Sequence, residues 1–431
     1  MALNIPDTQQ ERIIIIGAGF AGLTLARKLA KSNFQIILLD KNNYHQFQPL
    51  YYQVAMAGLE PSSISFPLRK VFQKNKQVFI RICELTSIDD RNKSISTSLG
   101  DLSYDKLIIS TGAITNYYGN EEIEKNSFSL KTTVEALQIR NQILLDYEQA
   151  LLTKDYDERQ GYIDIIIVGG GPTGVELAGA LAEMKNYILP KDYVELDNEE
   201  VDIYLIQSGD KLLPSMTERS SAQAMHFLEK IGVKVQLNTR VTDVEKEWVT
   251  LNNGKKIRTR KVIWAAGITG EKIDGIPQNC ICKGNRIIVD KNHKVKNVND
   301  IYAIGDISFV EDQDYPHGHP QVAQVAIQQA NNLSRNLLKN KTKEFSYKDL
   351  GSMATVGRNK AVVDLPSFTF TGFLAWVTWL FVHLASILGV RNKVVILMNW
   401  MWNYITYDQS LRLIINTDSD KKDTHKKSTQ I

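Results

Sequence analysis

One pattern occurs twice in this chain and restricts its fold more than anything else: "RIIIIGAGFAGLTLARKLA" and, further along, "DIIIVGGGPTGVELAGALAEM". Each copy opens with a short apolar run suited to a strand buried on both faces. Each continues with glycine at G-x-G-x-x-G spacing, Gly17, Gly19, Gly22 and Gly169, Gly171, Gly174, and then with a helical apolar pattern. In such a turn the first glycine permits a tight bend and the second lets backbone approach a pyrophosphate. The third lets the helix lie close on the strand, and the helix N-terminus turns its free N–H groups toward the phosphates. A lone glycine pattern says little; one set between strand and helix, twice, implies two dinucleotide folds in one chain and an electron relay between two cofactors.

The second strand of each fold refines this. "FQIILLD" ends in Asp40, eighteen residues past Gly22, where an acid binds ribose hydroxyls and repels a 2′-phosphate. Its counterpart "VDIYLIQ" ends in Gln207, which bonds a ribose hydroxyl but repels nothing; no arginine follows at once, although Lys211 is near. "LIISTGA" and "VIWAAGI", one after each fingerprint, read as strands ending in small-residue turns. "IYAIGDIS" reads as a strand ending at Gly305-Asp306, followed by a helix predicted to start at Pro320, whose missing N–H costs nothing there. Taken alone, Asp306 reads equally well as a surface loop acid.

The chain has 431 residues, enough for two or three domains. Its 51 basic and 48 acidic side chains give a formal charge of +3, too balanced to argue for nucleic acid as a partner. Cys83, Cys280 and Cys282 supply neither a disulfide framework nor metal-ligand spacing, so no metal is expected. Residues 1–11 lack an apolar run and read as a flexible N-terminus without a secretory signal; residues 416–431 read as a disordered basic tail.

The C-terminus is of another kind. "GFLAWVTWLFVHLASILGV" has no Asp, Glu, Lys or Arg; Arg391-Asn392-Lys393 then reads as a charged break before a second run, "VVILMNWMWNYITY". Four of the six tryptophans, Trp376, Trp379, Trp400 and Trp402, fall here. The first run sits at the edge of the length a membrane span needs. A span would strand His383 in hydrocarbon. Two helices pressed on a bilayer surface, with tryptophan at headgroup level and Arg391 and Lys393 toward anionic lipid, fit both runs better. A buried dimer interface is the remaining alternative.

The order of first fingerprint, "STGA", second fingerprint, "AAG" and "AIGD" resembles the two-dinucleotide-binding-domain flavoproteins over residues 12–335. "NYHQFQPLYYQVA", "GVELAGALAEM", "AQVAIQQ" and the Trp-rich end narrow the resemblance to type II NADH dehydrogenases, single-chain non-pumping NADH:quinone oxidoreductases. The resemblance implies an α/β fold of two Rossmann-like domains, the second inserted in the first, plus a C-terminal helical membrane-anchoring region. The implied boundaries are 12–160 and 281–345 for an FAD domain, 161–280 for an NADH domain and 346–415 for membrane association and dimerisation. Non-covalent FAD would be held by Gly17, Ala18, Gly19, Gly22, Asp40, Lys41, Leu85, Thr111, Gly112, Asp306, Ala323 and Gln324. NADH would be held by Gly169, Gly171, Thr173, Gly174, Glu176, Gln207 and Gly267, with NADPH tolerated better than an acid at Gln207 would allow.

Gln324 and Gln328, four apart on one helix face, would meet a quinone, ubiquinone or menaquinone; without the resemblance they read as ordinary polar helix positions. Glu176 and Gln324 would be the catalytic pair, Glu176 either as a proton relay with a raised pKa or as a fixed carboxylate orienting the nicotinamide. The resemblance also implies a homodimer held peripherally on the cytoplasmic face of the inner membrane. The competing readings are a ferredoxin- or rubredoxin-type reductase with a protein acceptor, a sulfide:quinone oxidoreductase, and a redox-sensing binding protein. The first has no use for the Trp-rich end, and the second needs redox cysteines beside the flavin.

Overall fold

The computed structural model describes residues 3–408 and 411–415 and divides the chain into two compact units. The first comprises residues 3–46, 65–114 and 268–350; the second comprises Phe47–Ile64, Thr115–Gly267 and, of the C-terminal segment, residues 351–408 and 411–415. The expected tail 416–431 lies outside the described residues.

The first unit is built on a five-stranded parallel sheet in the order Ile301–Ala303, Lys106–Ile109, Arg12–Ile16, Gln35–Asp40, Val78–Ile82. Ile13, Ile14, Ile15, Ile36, Ile37 and Leu38 are fully buried, as strands covered on both faces require. Ile14, Ile16, Ile37 and Leu107 share one core with Ile88, Ile95, Ile287 and Val289 from two smaller sheets. The helix Phe20–Leu29 packs against the helix Ala323–Lys339. Because the first strand in sequence lies at the sheet centre, chain connections depart to either side of it. That divergence opens the crevice in which open α/β sheets bind ligands.

Residues 3–11, expected to be flexible, are held in place. Arg81 donates to Leu3 O at 2.6 Å and Asn4 O at 2.7 Å, and Gln35 donates to Pro6 O at 2.6 Å. Side chains of the neighbouring strands satisfy carbonyls that no sheet or helix reaches.

The second unit repeats the plan with a four-stranded parallel sheet, Val233–Gln236, Ile203–Ile206, Ile165–Val168, Lys261–Trp264. The chain enters this unit at Ile114–Thr115 and leaves it at Gly267–Ile268, rather than at 160 and 280. The helix Thr133–Leu152, opened by a Thr132/Glu135 capping box, accounts for the earlier entry. Its Asp146 makes a buried 3.0 Å ion pair with Lys261 of the sheet.

The C-terminal segment belongs to this second unit. It forms an antiparallel sheet, Ser352–Thr355, Ala361–Asp364, Thr369–Thr371, and then helices Phe373–Ser386 and Val390–Thr406. Asp364 accepts from Thr217 N–H at 2.7 Å and Ser220 Oγ at 2.6 Å, and Asn392 donates to Ser63 O at 3.0 Å. The break between the helices falls at Ile387–Leu388–Gly389, where Gly389 has φ +81°, and not at Arg391–Lys393. Those charged residues form the first turn of the second helix, and Lys393 donates to Ala385 O at the end of the first at 2.6 Å. Among the described residues, no helix is long and apolar enough to cross a membrane.

Candidate functional site

The two glycine loops are built alike. A Cβ on Gly17 would lie 2.4 Å from Ser110 O, and one on Gly169 would lie 2.5 Å from Ala265 O. A Cβ on Gly22 would lie 1.9 Å from Gly17 O, and one on Gly174 the same distance from Gly169 O. At Gly19 and Gly171 an added Cβ meets nothing within 4 Å. The first and third glycines are thus fixed by packing, while the middle one borders open space where a phosphate can approach.

In the first unit Asp40 serves the loop itself. Oδ2 accepts Ala18 N–H at 2.6 Å and Oδ1 accepts Asn42 N–H at 2.7 Å. Burial raises its pKa, and those two donors and Lys41 oppose the rise. Lys41 pairs with Glu271 at 2.8 Å, on a half-exposed side chain, and Leu85 opens the strand Leu85–Asp89. The Thr111 hydroxyl is buried and has no partner among the described residues. Gly112, beside it, has φ +75° and faces open space.

Asp306 lies in the turn Gly305–Ile307, where its carbonyl accepts from Gln321 at 2.9 Å. The helix expected from Pro320 begins at Ala323, because Val322 is extended (φ −134°, ψ 155°) and resets the chain. Gln324 and Gln328 lie one turn apart, as expected, and both amides hold the segment Lys348–Leu350. Gln324 Oε1 accepts Leu350 N–H at 3.0 Å, and Gln328 both donates to Lys348 O at 2.8 Å and accepts Lys348 N–H at 3.0 Å. Two further residues support this end of the sheet. Buried His45 sits 2.9 Å from Ala18 O through Nδ1, and buried Gln329 accepts Gly305 N–H at 2.6 Å.

In the second unit Gln207 repeats the task of Asp40: its Oε1 accepts Gly170 N–H at 2.9 Å. Thr173 is exposed in the first turn of the helix Pro172–Tyr187. Gly267 has φ +152°, and a Cβ there would lie 2.5 Å from the Tyr118 hydroxyl, which donates to Ala266 O at 2.7 Å.

Glu176, on that same helix, is 7% exposed. Its Oε1 accepts Trp379 Nε1–H at 3.0 Å and Thr355 N–H at 3.3 Å. Burial pushes its pKa up to about 8, against the pull of those two donors. It lines a cavity of about 130 Å³ with Tyr52, Glu183, Trp379 and Trp400. Trp379 is 1% exposed and stacks on His383 at 3.9 Å between ring centroids. Trp400 donates to Gln53 Oε1 at 2.8 Å. Of the tryptophans expected at headgroup level, Trp379 therefore faces inward, because an indole N–H needs a partner when buried. Trp402 is 58% exposed.

This doubled loop geometry has counterparts among known proteins. The family model for pyridine nucleotide-disulphide oxidoreductases matches residues 11–330, and the model described as the NDH2 C-terminal domain matches 350–406. The chain is 32% identical over 412 residues to the type II NADH:quinone oxidoreductase NdhA of Mycobacterium tuberculosis, covering 91% of this chain and 86% of that protein. The chain belongs to the type II NADH:quinone oxidoreductase family. NDH2 from Plasmodium falciparum in complex with NADH shares its fold, with TM-score 0.87, 22% identity and coverage of 95% and 100%. The sulfide:quinone oxidoreductase of Aquifex aeolicus also shares the fold, at TM-score 0.68 and 19% identity over 95% and 94%.

Within this type II oxidoreductase, several residues of the site escaped sequence reasoning. Tyr52, Trp379 and Glu183 are brought to the Glu176 cavity only by tertiary packing. The one available signal was an acid seven residues after Glu176, which places both carboxylates on one helix face.

Proposed function

We infer that the chain oxidises NADH and passes two electrons to a quinone without pumping protons. The observation that carries this reading is the pair of glycine loops with the same packing constraints, in a chain whose family performs this reaction. FAD fits the first unit: Gly19 and Gly112 border open space, and the Thr111 hydroxyl has no partner among the described residues, one that a cofactor atom can supply. Gly17, Ala18, Gly19, Gly22, Thr111, Gly112 and Asp306 would hold it, with Asp40 fixing the loop and leaving part of its acceptor capacity for ribose. A bound flavin supplies a ring that accepts hydride and returns the electrons to a quinone.

NADH is taken by Gly169, Gly171, Thr173 and Gly174 of the second unit, and Gln207 lets NADPH bind better than an acid would. Glu176, protonated at neutral pH by burial, suits a proton donor to the quinone better than a fixed carboxylate orienting the nicotinamide. Gln324 stays a candidate for the quinone carbonyl by resemblance to the family, whereas Gln328 acts chiefly as a strut for residues 348–350.

The two C-terminal helices carry the protein on a bilayer surface. Phe373, Leu374, Val377 and Phe381 on one, and Val390, Val394, Met398, Met401, Trp402 and Ile405 on the other, are exposed apolar side chains at helical spacing. Homodimerisation and residence on the cytoplasmic face remain parts of the same proposal, drawn from the family. No cysteine pair sits where a thiol-based acceptor would need one: Cys83 and Cys280 are buried and all three thiols are free.

The test is NADH oxidation by the FAD-loaded full chain, with and without a soluble short-chain quinone. Quinone-dependent turnover supports the reading. Reduction of the flavin by NADH with no reoxidation by quinone overturns it in favour of a protein acceptor.

A further inference from the structure

NADH + quinone + H⁺ gives NAD⁺ + quinol: the hydride brings two electrons and one proton, so one further proton must come from water. Glu176 is too deeply buried to collect it directly. A second carboxylate, Glu183, lies two helical turns further along the same helix, at a rise of about 10 Å, and lines the same cavity. Glu183 is only partly buried. Its Oε1 accepts the backbone N–H of Arg358 and packs against Gly357, whose missing Cβ leaves room for it. Two acids on one face of a helix thus line a single cavity, and Glu183 is the less buried of the two.

The Tyr52 hydroxyl also lines that cavity. It accepts from Gln53 Nε2 at 2.9 Å, and Gln53 is fixed in turn by Trp400. The Tyr52 proton therefore remains available to donate. Burial raises the Tyr52 pKa, and negative charge on Glu176 and on Glu183 raises it further, so the hydroxyl lies within the field of both acids. The cavity, about 130 Å³, has room for about four waters, enough to complete a hydrogen-bonded file along the roughly 10 Å of helix rise that separates Glu176 from Glu183. The other titratable or charged groups facing this file are Arg358 and Lys360 beside Glu183, Tyr187 on the same helix, and His383, Tyr404 and Tyr407 from the C-terminal helices. Arg358 lies over the rings of Tyr404 and Tyr407.

We propose that Glu183, Tyr52 and Glu176 form the proton-uptake path of the reaction, an inference that rests on the quinone reading above. Glu183 takes a proton from bulk water. Water and the Tyr52 hydroxyl each accept one proton and release one, and Glu176 receives a proton as it gives its own to the quinone. Burial raises the Glu183 pKa, and Arg358 and Lys360 oppose that rise, so that Glu183 can still ionise and reload.

The experiment compares turnover of the FAD-loaded full chain with a short-chain quinone and with ferricyanide, which accepts electrons without protons. Glu183→Gln is expected to lower the ratio of quinone to ferricyanide turnover by about tenfold or more. It should also flatten the fall of the quinone rate at high pH and enlarge the solvent deuterium effect, with Glu183→Asp restoring most of the loss. Should Glu183→Gln fail to retain flavin, the same ratio in Tyr52→Phe decides. A ratio within about twofold of the parent in these variants overturns the path. A parent that reduces ferricyanide but no quinone overturns the quinone reading instead.

Discussion

The indole N–H of Trp379 donates to Glu176 Oε1 at 3.0 Å, joining two residues 203 positions apart in the sequence. Under the role proposed for Glu176, this contact ties the C-terminal region to the chemistry. Trp379→Phe keeps an aromatic ring in place but removes one of the two donors that favour the charged carboxylate. The Glu176 pKa then moves further up from about 8, and the alkaline limb of the quinone pH–rate profile moves with it. The lost bond costs on the order of 1–3 kcal/mol. An unmoved limb, with turnover intact, rules out this coupling.

Glu176 also makes stability depend on pH. Its folded-state pKa of about 8 lies above the ordinary 4.5. Between those values the unfolded chain has released the proton and the folded chain retains it. The contribution is therefore fully present below 4.5 and is lost as pH rises through about 8. Glu176→Gln removes the dependence, so the variant should gain stability relative to the parent at pH 9, by up to a few kcal/mol, and little at pH 4. Thermal midpoints of both proteins across that range measure it; parallel curves rule out a buried neutral acid.

Much of this was legible in the sequence, for reasons visible in particular residues. Gly17, Gly22, Gly169 and Gly174 are dictated by backbone contacts within a few ångströms, so local spacing reports them. The buried isoleucine runs report parallel strands for the same reason. The cavity was not legible, because Tyr52, Glu176, Glu183 and Trp379 come from three separate stretches and no periodicity links them. The inward aim of Trp379 was hidden too: tryptophan suits a lipid headgroup and a buried acid equally well. The helix break at Gly389 was masked by the more conspicuous charges of Arg391 and Lys393, which the helix accommodates in its first turn.

Gln207 holds its glycine loop through an amide oxygen, a bond that a carboxylate also makes, as Asp40 does through Oδ2. Gln207→Glu should therefore preserve the fold while adding a charge that repels a 2′-phosphate. The ratio of kcat/KM for NADH over NADPH is expected to rise by about tenfold, or about 1.4 kcal/mol. Steady-state kinetics with both nucleotides decide. A parent that already favours NADH more than about a thousandfold contradicts the assigned role of Gln207.

Gly174→Ala separates the two nucleotide folds. The added Cβ meets Gly169 O at 1.9 Å, and because that atom is backbone the loop must shift. A displacement of this kind costs about a hundredfold in a reaction that depends on alignment. The first glycine loop is untouched, so flavin content should be normal while reduction by NADH, followed by stopped-flow bleaching of the flavin, slows by that factor. Loss of flavin together with NADH reduction contradicts the assignment of separate nucleotides to the two loops.

The exposed stripe of the last helix supplies the remaining prediction. Met401, 50% exposed, and Ile405, 75% exposed, lie one turn apart, and neither is needed to cover the cavity. Each apolar side chain that inserts into lipid contributes about 1.5–3 kcal/mol, and an aspartate there adds a desolvation penalty instead. The double substitution Met401→Asp with Ile405→Asp should release the protein from sedimenting vesicles of mixed neutral and anionic lipid by at least about a hundredfold in partition. Turnover with a soluble short-chain quinone should change little, because neither side chain lines the Glu176 cavity. Equal sedimentation of parent and variant, with a change in oligomeric state, assigns the stripe to a dimer interface instead.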